Sequence, residues 1–106
     1  MRVLPSLAGI SEIRSVVIAD HAGSLHDAVG GQENEAVAAI MGFMGTTMNQ
    51  AGELLGFGPV QRMTITSPTQ SWVVTVKGSV IIGVLADASA SLANLERKLD
   101  SVLHDV

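Results

Sequence analysis

From Ala36 to Gly52 the chain reads AVAAIMGFMGTTMNQAG, a run with no charged residue that still recurs with a helical period. Any fold must therefore place a long helix that has almost no charged, wet side. Val37, Ile40, Met41, Phe43, Met44, Met48, Leu54 and Leu55 share one broad bulky face. Ala38, Gly42, Gly45, Thr46, Asn49 and Gly52 make up the opposite face, with Glu53 its only charge. Glycine inside a helix costs about 1 kcal/mol against alanine, so Gly42, Gly45 and Gly52 imply another backbone coming close. The pattern predicts that the bulky face lies on the chain's own core and the small face meets a second protein. The alternative is a central helix covered by the rest of its own chain.

Composition points to the same kind of surface. Hydrophobic residues make up 47% of the chain and charged residues 15%, where about 25% charged is usual. With so little charge to wet it, part of the surface is expected to be covered by a partner, the first candidate being a second copy. The length of 106 residues suits one domain, residues 1–106, with one modest core. Net charge is −4, and the basic residues Arg2, Arg14, Arg62, Lys77, Arg97 and Lys98 are scattered. No basic stripe is present to neutralise phosphates, so nucleic acid is not an expected partner. The chain has no cysteine, which excludes a disulfide framework and a thiolate metal site and suits a cytoplasmic setting. The opening MRVLPSLAGIS is too short and interrupted for a signal peptide. The uncharged helix falls short of the ~20 apolar residues that span a bilayer and holds Thr46, Thr47, Asn49 and Gln50, so membrane insertion is not expected.

Periodicity and turn residues order the chain. A short helix is predicted over Leu4 to Gly9, with Pro5 in its first turn. Ile13 to Asp20 (IRSVVIAD) and Ser24 to Val29 read as two strands joined at His21-Ala22-Gly23. The long helix follows, with Asn34 or a neighbour as its cap, and Gly56 stops it. Val60 to Thr66, Ser71 to Val76 and Val80 to Ala86 are three further strands. Trp72, Val74 and Val76 fall on one face of the second of these, and Ser71, Val73 and Thr75 on the other. Val80 to Ala86 is nearly all apolar and is predicted to be the most buried strand. Asp87 and Ser89 are placed to cap a last helix with a Leu92, Leu95, Leu99, Val102, Leu103 stripe. The expected fold is α+β, in the order α-β-β-α-β-β-β-α. A five-stranded antiparallel sheet carries the long central helix on one face and the terminal helices on the other. Val60 to Thr66, with Arg62 and its threonines, is the least apolar strand and is expected at an edge, where a second copy could dock.

Residues with chemistry in their side chains do not assemble into a catalytic pattern. Asp20, His21, His26 and Asp27 gather at the first hairpin, but no third nitrogen or sulfur ligand is fixed nearby, and Asp and His are ordinary turn residues. His104 suits the negative end of the last helix. No serine sits in G-x-S-x-G, so there is no nucleophile elbow. Gly30-Gly31 lacks the Lys and Ser/Thr of a phosphate loop, and Glu33 and Glu35 would repel phosphate. Neither a metal nor a cofactor is expected. Met41, Met44, Met48 and Met63 read as core filling at helical or strand spacing.

In its order of elements the chain resembles the roadblock / dynein light chain family, which includes bacterial MglB-type regulators of small Ras-like GTPases. The resemblance runs over nearly the whole sequence. It is carried by SVVIADHAG, the alanine-rich long helix ending ELLGFG, and VTVKGSVIIGVLADASASL before the last helix. It implies a non-enzymatic homodimer joined through the long helix and the middle edge strand as one continuous sheet. Ala38, Gly42, Gly45, Thr46, Asn49, Gly52, Arg62 and Thr64 would form that interface. It also implies docking of a small Ras-like GTPase across the paired helices, at Thr46, Asn49, Gln50 and Glu53. Any stimulation of hydrolysis would come from positioning the GTPase's own residues. A structural adaptor of the dynein light chain type is the alternative, and a small-molecule sensor using the hairpin histidines is a third.

Overall fold

A computed structural model describes residues 3–104. Its elements run α1 (Val3–Ala8), β1 (Ile13–Asp20), β2 (Leu25–Val29), α2 (Asn34–Leu55), β3 (Arg62–Thr66), β4 (Gln70–Lys77), β5 (Val80–Asp87) and α3 (Leu92–Leu103). The five strands form one sheet in the order β2-β1-β5-β4-β3, and every neighbouring pair is antiparallel. The predicted order of elements and the antiparallel sheet are both present, with β3 at an edge. Central β5 is the most buried strand, because its apolar run is covered on both faces.

Alternation along the strands sorts the core into two layers. Val16, Ile18, Val73, Ile82, Val84 and Ala86 pack against Leu4 and Leu7 of α1 and Leu95, Leu99 and Leu103 of α3. On the other face Val17, Ala19, Val74 and Ile81 pack against Ala38 and Met41 of α2. Ser91 caps α3, its hydroxyl accepting the Asn94 amide, so the cap falls neither at Asp87 nor at Ser89. Asp87 instead accepts two hydrogen bonds from the Arg14 guanidinium, at 2.5 and 2.9 Å. At the start of α2, Glu33 takes a left-handed φ of 54° and makes no side-chain cap, while Asn34 donates to the Gly30 carbonyl. Gly56, at φ 75°, ends α2 as the sequence predicts.

The two edges of the sheet differ. At β2 the register with β1 shifts between Ile18 and Ala19, and the Asp27 carboxylate accepts the amide of Ala28. β3 pairs with β4 in unbroken register from Arg62 to Thr66.

Packing of α2 departs in part from the expected use of its two faces: Met41 and Met48 of the bulky face reach the core as expected, but most of the small residues do so too. Ala38, Gly42, Gly45 and Gly52 are buried against their own chain, together with Met41 and Met48. A methyl group at Gly42 would lie 2.6 Å from the backbone of Gly23 in the β1–β2 turn. One at Gly45 would lie 2.9 Å from Ile81 Cδ1, and one at Gly52 would collide with the Gly58 carbonyl. The small residues bring the helix down onto its own hairpin, sheet and following loop. These four positions are therefore removed from the interface that the sequence pattern assigned to them.

Candidate functional site

With the small face turned inward, part of the bulky face is left outside. Phe43 is 74% exposed and Leu54 88%, and Ile40, Leu55 and Phe57 are exposed beside them. An exposed apolar surface of this kind, uncovered by the described residues, is the kind of surface at which proteins meet partners. Sequence reasoning placed Ile40, Phe43, Leu54 and Leu55 in the core and gave Phe57 no role. The signal that could have separated them was the small-residue row itself, since a helix approaches a sheet most closely along its glycines.

Two of the remaining expected interface residues stay accessible on α2. Thr46 and Asn49 are exposed, in one band with Gln50 and Glu53. The structure thus brings together all four residues expected to meet a partner. Thr64 is half-buried in the edge strand β3. Arg62, in the same strand, is turned back onto its own chain, donating from Nε to Thr75 Oγ1 at 3.0 Å and from Nη2 to Asp100 at 2.8 Å.

Beside the N-terminal half of α2, a groove of about 390 Å³ opens toward β3. Val37 and Ile40 form one wall, Ile65 and Thr66 the other, and Val17, Trp72, Gly83 and Leu85 the floor. Trp72, expected in the core, is half-exposed here. A larger, more polar groove of about 900 Å³ lies between α3 and the ends of β3 and β4, with Arg62, Lys77, Asp100 and His104 on its walls.

At the first hairpin Asp20 and His26 pair with each other, and His21 turns to the backbone of a different turn. The Asp20 carboxylate accepts from His26 Nε2 at 2.9 Å and from the amides of Ala22 and Ser24 at 2.9 and 3.0 Å. His21 Nε2 lies 3.0 Å from the Gly78 carbonyl. Among the described residues no group of three or more His, Cys, Asp or Glu is placed to hold a metal ion. The His26 hydrogen bond, followed by that from the Ser24 amide, holds the Asp20 carboxyl below its ordinary value of 3.8. A carboxyl depressed in the folded state stabilises the fold above its unfolded pKa, and that stability is lost as pH falls through the folded value. Asp20→Asn is accordingly expected to be less stable than the native chain in urea titrations at about pH 6, with the difference shrinking at about pH 2.5. A difference that does not change with pH would show that the carboxylate's charge plays no part.

The fold with its helix-covered sheet and open β3 edge is the roadblock/LC7 fold. Myxococcus xanthus MglB superposes with a TM-score of 0.90 over 99% of this chain and 91% of its own, at 16% identity. A roadblock/LC7 domain from Streptomyces avermitilis gives a TM-score of 0.86 over 98% and 91%, at 18% identity. An MglB described as having a tetrameric arrangement gives 0.85 over 97% and 81%, at 13% identity. No protein-family model and no curated protein matches the sequence. At these identities the likeness is one of fold. Among the described residues no helix is long and apolar enough to cross a membrane.

Proposed function

We propose that this chain is a non-enzymatic homodimer that binds and regulates a small Ras-like GTPase. The observation that carries the reading is the uncovered apolar face of α2 next to an unpaired edge strand. The exposed row Ala36, Ile40, Phe43, Thr47, Ala51 and Leu54 follows one side of the helix at spacings of three and four. Turned antiparallel on a second copy about a two-fold near Gly45, it is self-complementary. Leu54 meets Ala36, Ile40 meets Ala51, and Phe43 meets Thr47, a large side chain over a small one each time. Antiparallel pairing of β3 with its own copy joins the two sheets in the same assembly. The tetrameric arrangement of an MglB with this fold supports self-association.

In such a dimer the band of Thr46, Asn49, Gln50 and Glu53 remains open on the flank of α2 away from β3, where the GTPase docks. The chain's arginines do not converge on that band. Arg14 and Arg62 are held by Asp87 and Asp100, and Arg97 donates to Asn94 on α3. Regulation then acts by positioning the GTPase's own catalytic residues rather than by supplying a charge. The test is capture from an extract of the source cells with and without a non-hydrolysable GTP analogue. Capture of a Ras-like GTPase that depends on the analogue is the expected result. Equal capture in both arms would favour the adaptor role, and the absence of any GTPase would overturn the proposal.

A further inference from the structure

We propose that the groove between α3 and the ends of β3 and β4 binds a small soluble phosphate monoester, held by Arg62, Lys77 and His104. The inference is separate from the GTPase reading, because α3 covers the face of the sheet opposite α2. These three residues are far apart in sequence, and strand register and helix period bring them together. Arg62 of β3 stands directly across from Thr75 of β4, and Lys77 follows Thr75 by two residues, so the three share one face. Lys77 in turn pairs with Val80, whose side chain belongs to the core beneath α3. His104 lies one helical turn beyond Asp100, on the same side of α3. Arg62, Lys77, Asp100 and His104 thus line one groove from three different elements.

The guanidinium is set in place before any ligand arrives. Its Nε donates to the buried Thr75 and its Nη2 to Asp100. Nη1 has no acceptor among the described residues, so its donors are left over for a ligand oxygen. Lys77 is half-buried and pairs with no carboxylate among the described residues, whereas Arg14 and Lys98 are each closed by one. With Asp100 set against Arg62, the groove keeps the charge of Lys77, and gains a second when His104 is protonated. A phosphate monoester, at about −1.5 to −2 near pH 7, matches that charge better than a carboxylate. A guanidinium fork beside an ammonium is also the pairing that phosphate oxygens accept from most readily. The volume of about 900 Å³ suits a small molecule, and the buried Val80 and Leu103 offer its organic part an apolar wall.

Amide NMR on the isotope-labelled protein tests the site with phenyl phosphate as the probe. Saturable shifts confined to the surroundings of Arg62, Lys77, Ser79 and His104 are expected. Lys77→Gln should weaken binding about tenfold while the urea midpoint stays native. Should that midpoint move, His104→Gln, at an exposed position, carries the same expectation. Benzoate, with the same ring and a single charge, should bind about tenfold more weakly than phenyl phosphate. Shifts scattered over the surface, a folded Lys77→Gln or His104→Gln chain that binds as well as the native one, or equal binding of benzoate would overturn the proposal. Vesicles containing phosphatidic acid present the same phosphate on a lipid. Sedimentation with them, without a saturable response to phenyl phosphate, would make the groove a membrane contact and overturn the small-molecule reading. None of these measurements depends on dimer formation or GTPase capture, so failure here leaves the regulator reading standing.

Discussion

Gly45→Glu should strongly destabilise this protein. Residue 45 faces Ile81 across the seam between helix and sheet, where even a methyl group would lie 2.9 Å from the isoleucine Cδ1. The end of the Ile81 side chain can give way, but a glutamate there must still lift the helix off the sheet, reach the His21 ring, whose Nδ1 lies 3.9 Å from the Cβ position, or bury an unpaired carboxylate, and the last costs several kcal/mol. Glutamate's better helix propensity returns only about 1 kcal/mol. The net loss is a large part of the ~5–15 kcal/mol that holds a domain of this size together. Reading the small face as an interface predicts the opposite, a monomer with full helical circular dichroism. A Gly45→Glu chain that keeps its urea midpoint would restore that view and contradict the packing described above.

Phe43→Glu tests the other side of the same helix. Phe43 is 74% exposed, so its loss takes little from the folded chain, and glutamate is at home on a wet helix surface. In the proposed antiparallel helix pair the two copies of residue 43 would lie close to the two-fold, and each would bring a like charge into an apolar contact. The dimer dissociation constant is expected to rise by about a hundredfold or more, equivalent to about 2.7 kcal/mol. Light scattering across a concentration series reads the mass, and circular dichroism confirms the fold. An undisturbed dimer would move the interface elsewhere.

The opposed outcomes at residues 43 and 45 show what sequence could and could not reveal. Alternation of Trp72, Val74 and Val76 with Ser71, Val73 and Thr75 placed the two sheet faces, and the Leu95, Leu99, Leu103 stripe placed α3. Those patterns survive because strands and short amphipathic helices have one apolar side and one use for it. α2 carries two non-polar sides, one bulky and one small, and periodicity alone cannot say which lies against the sheet. Closeness decides the matter. Gly42 meets Gly23 in a turn distant in sequence and Gly52 meets Gly58 in the loop just after the helix, and both contacts rest on turns whose positions depend on the whole fold. The band of Thr46, Asn49, Gln50 and Glu53, which only the family resemblance had set apart, is exposed. The groove at Trp72 was not legible, because it exists only where α2 leaves part of the sheet bare.

The unlike edges of the sheet bear on how far such an assembly can grow. A protein with two equally receptive outer strands can add copies end to end without limit, and the product is a fibre. Here the Asp27 carboxylate already occupies the Ala28 amide, and the shift at Ile18 and Ala19 disturbs β2 further, so an incoming strand finds a poor template. Joining two copies through β3 leaves only this blunted strand at either extremity. In the proposed dimer, growth would stop after a single addition, and the Asp27 carboxylate becomes a guard against filaments.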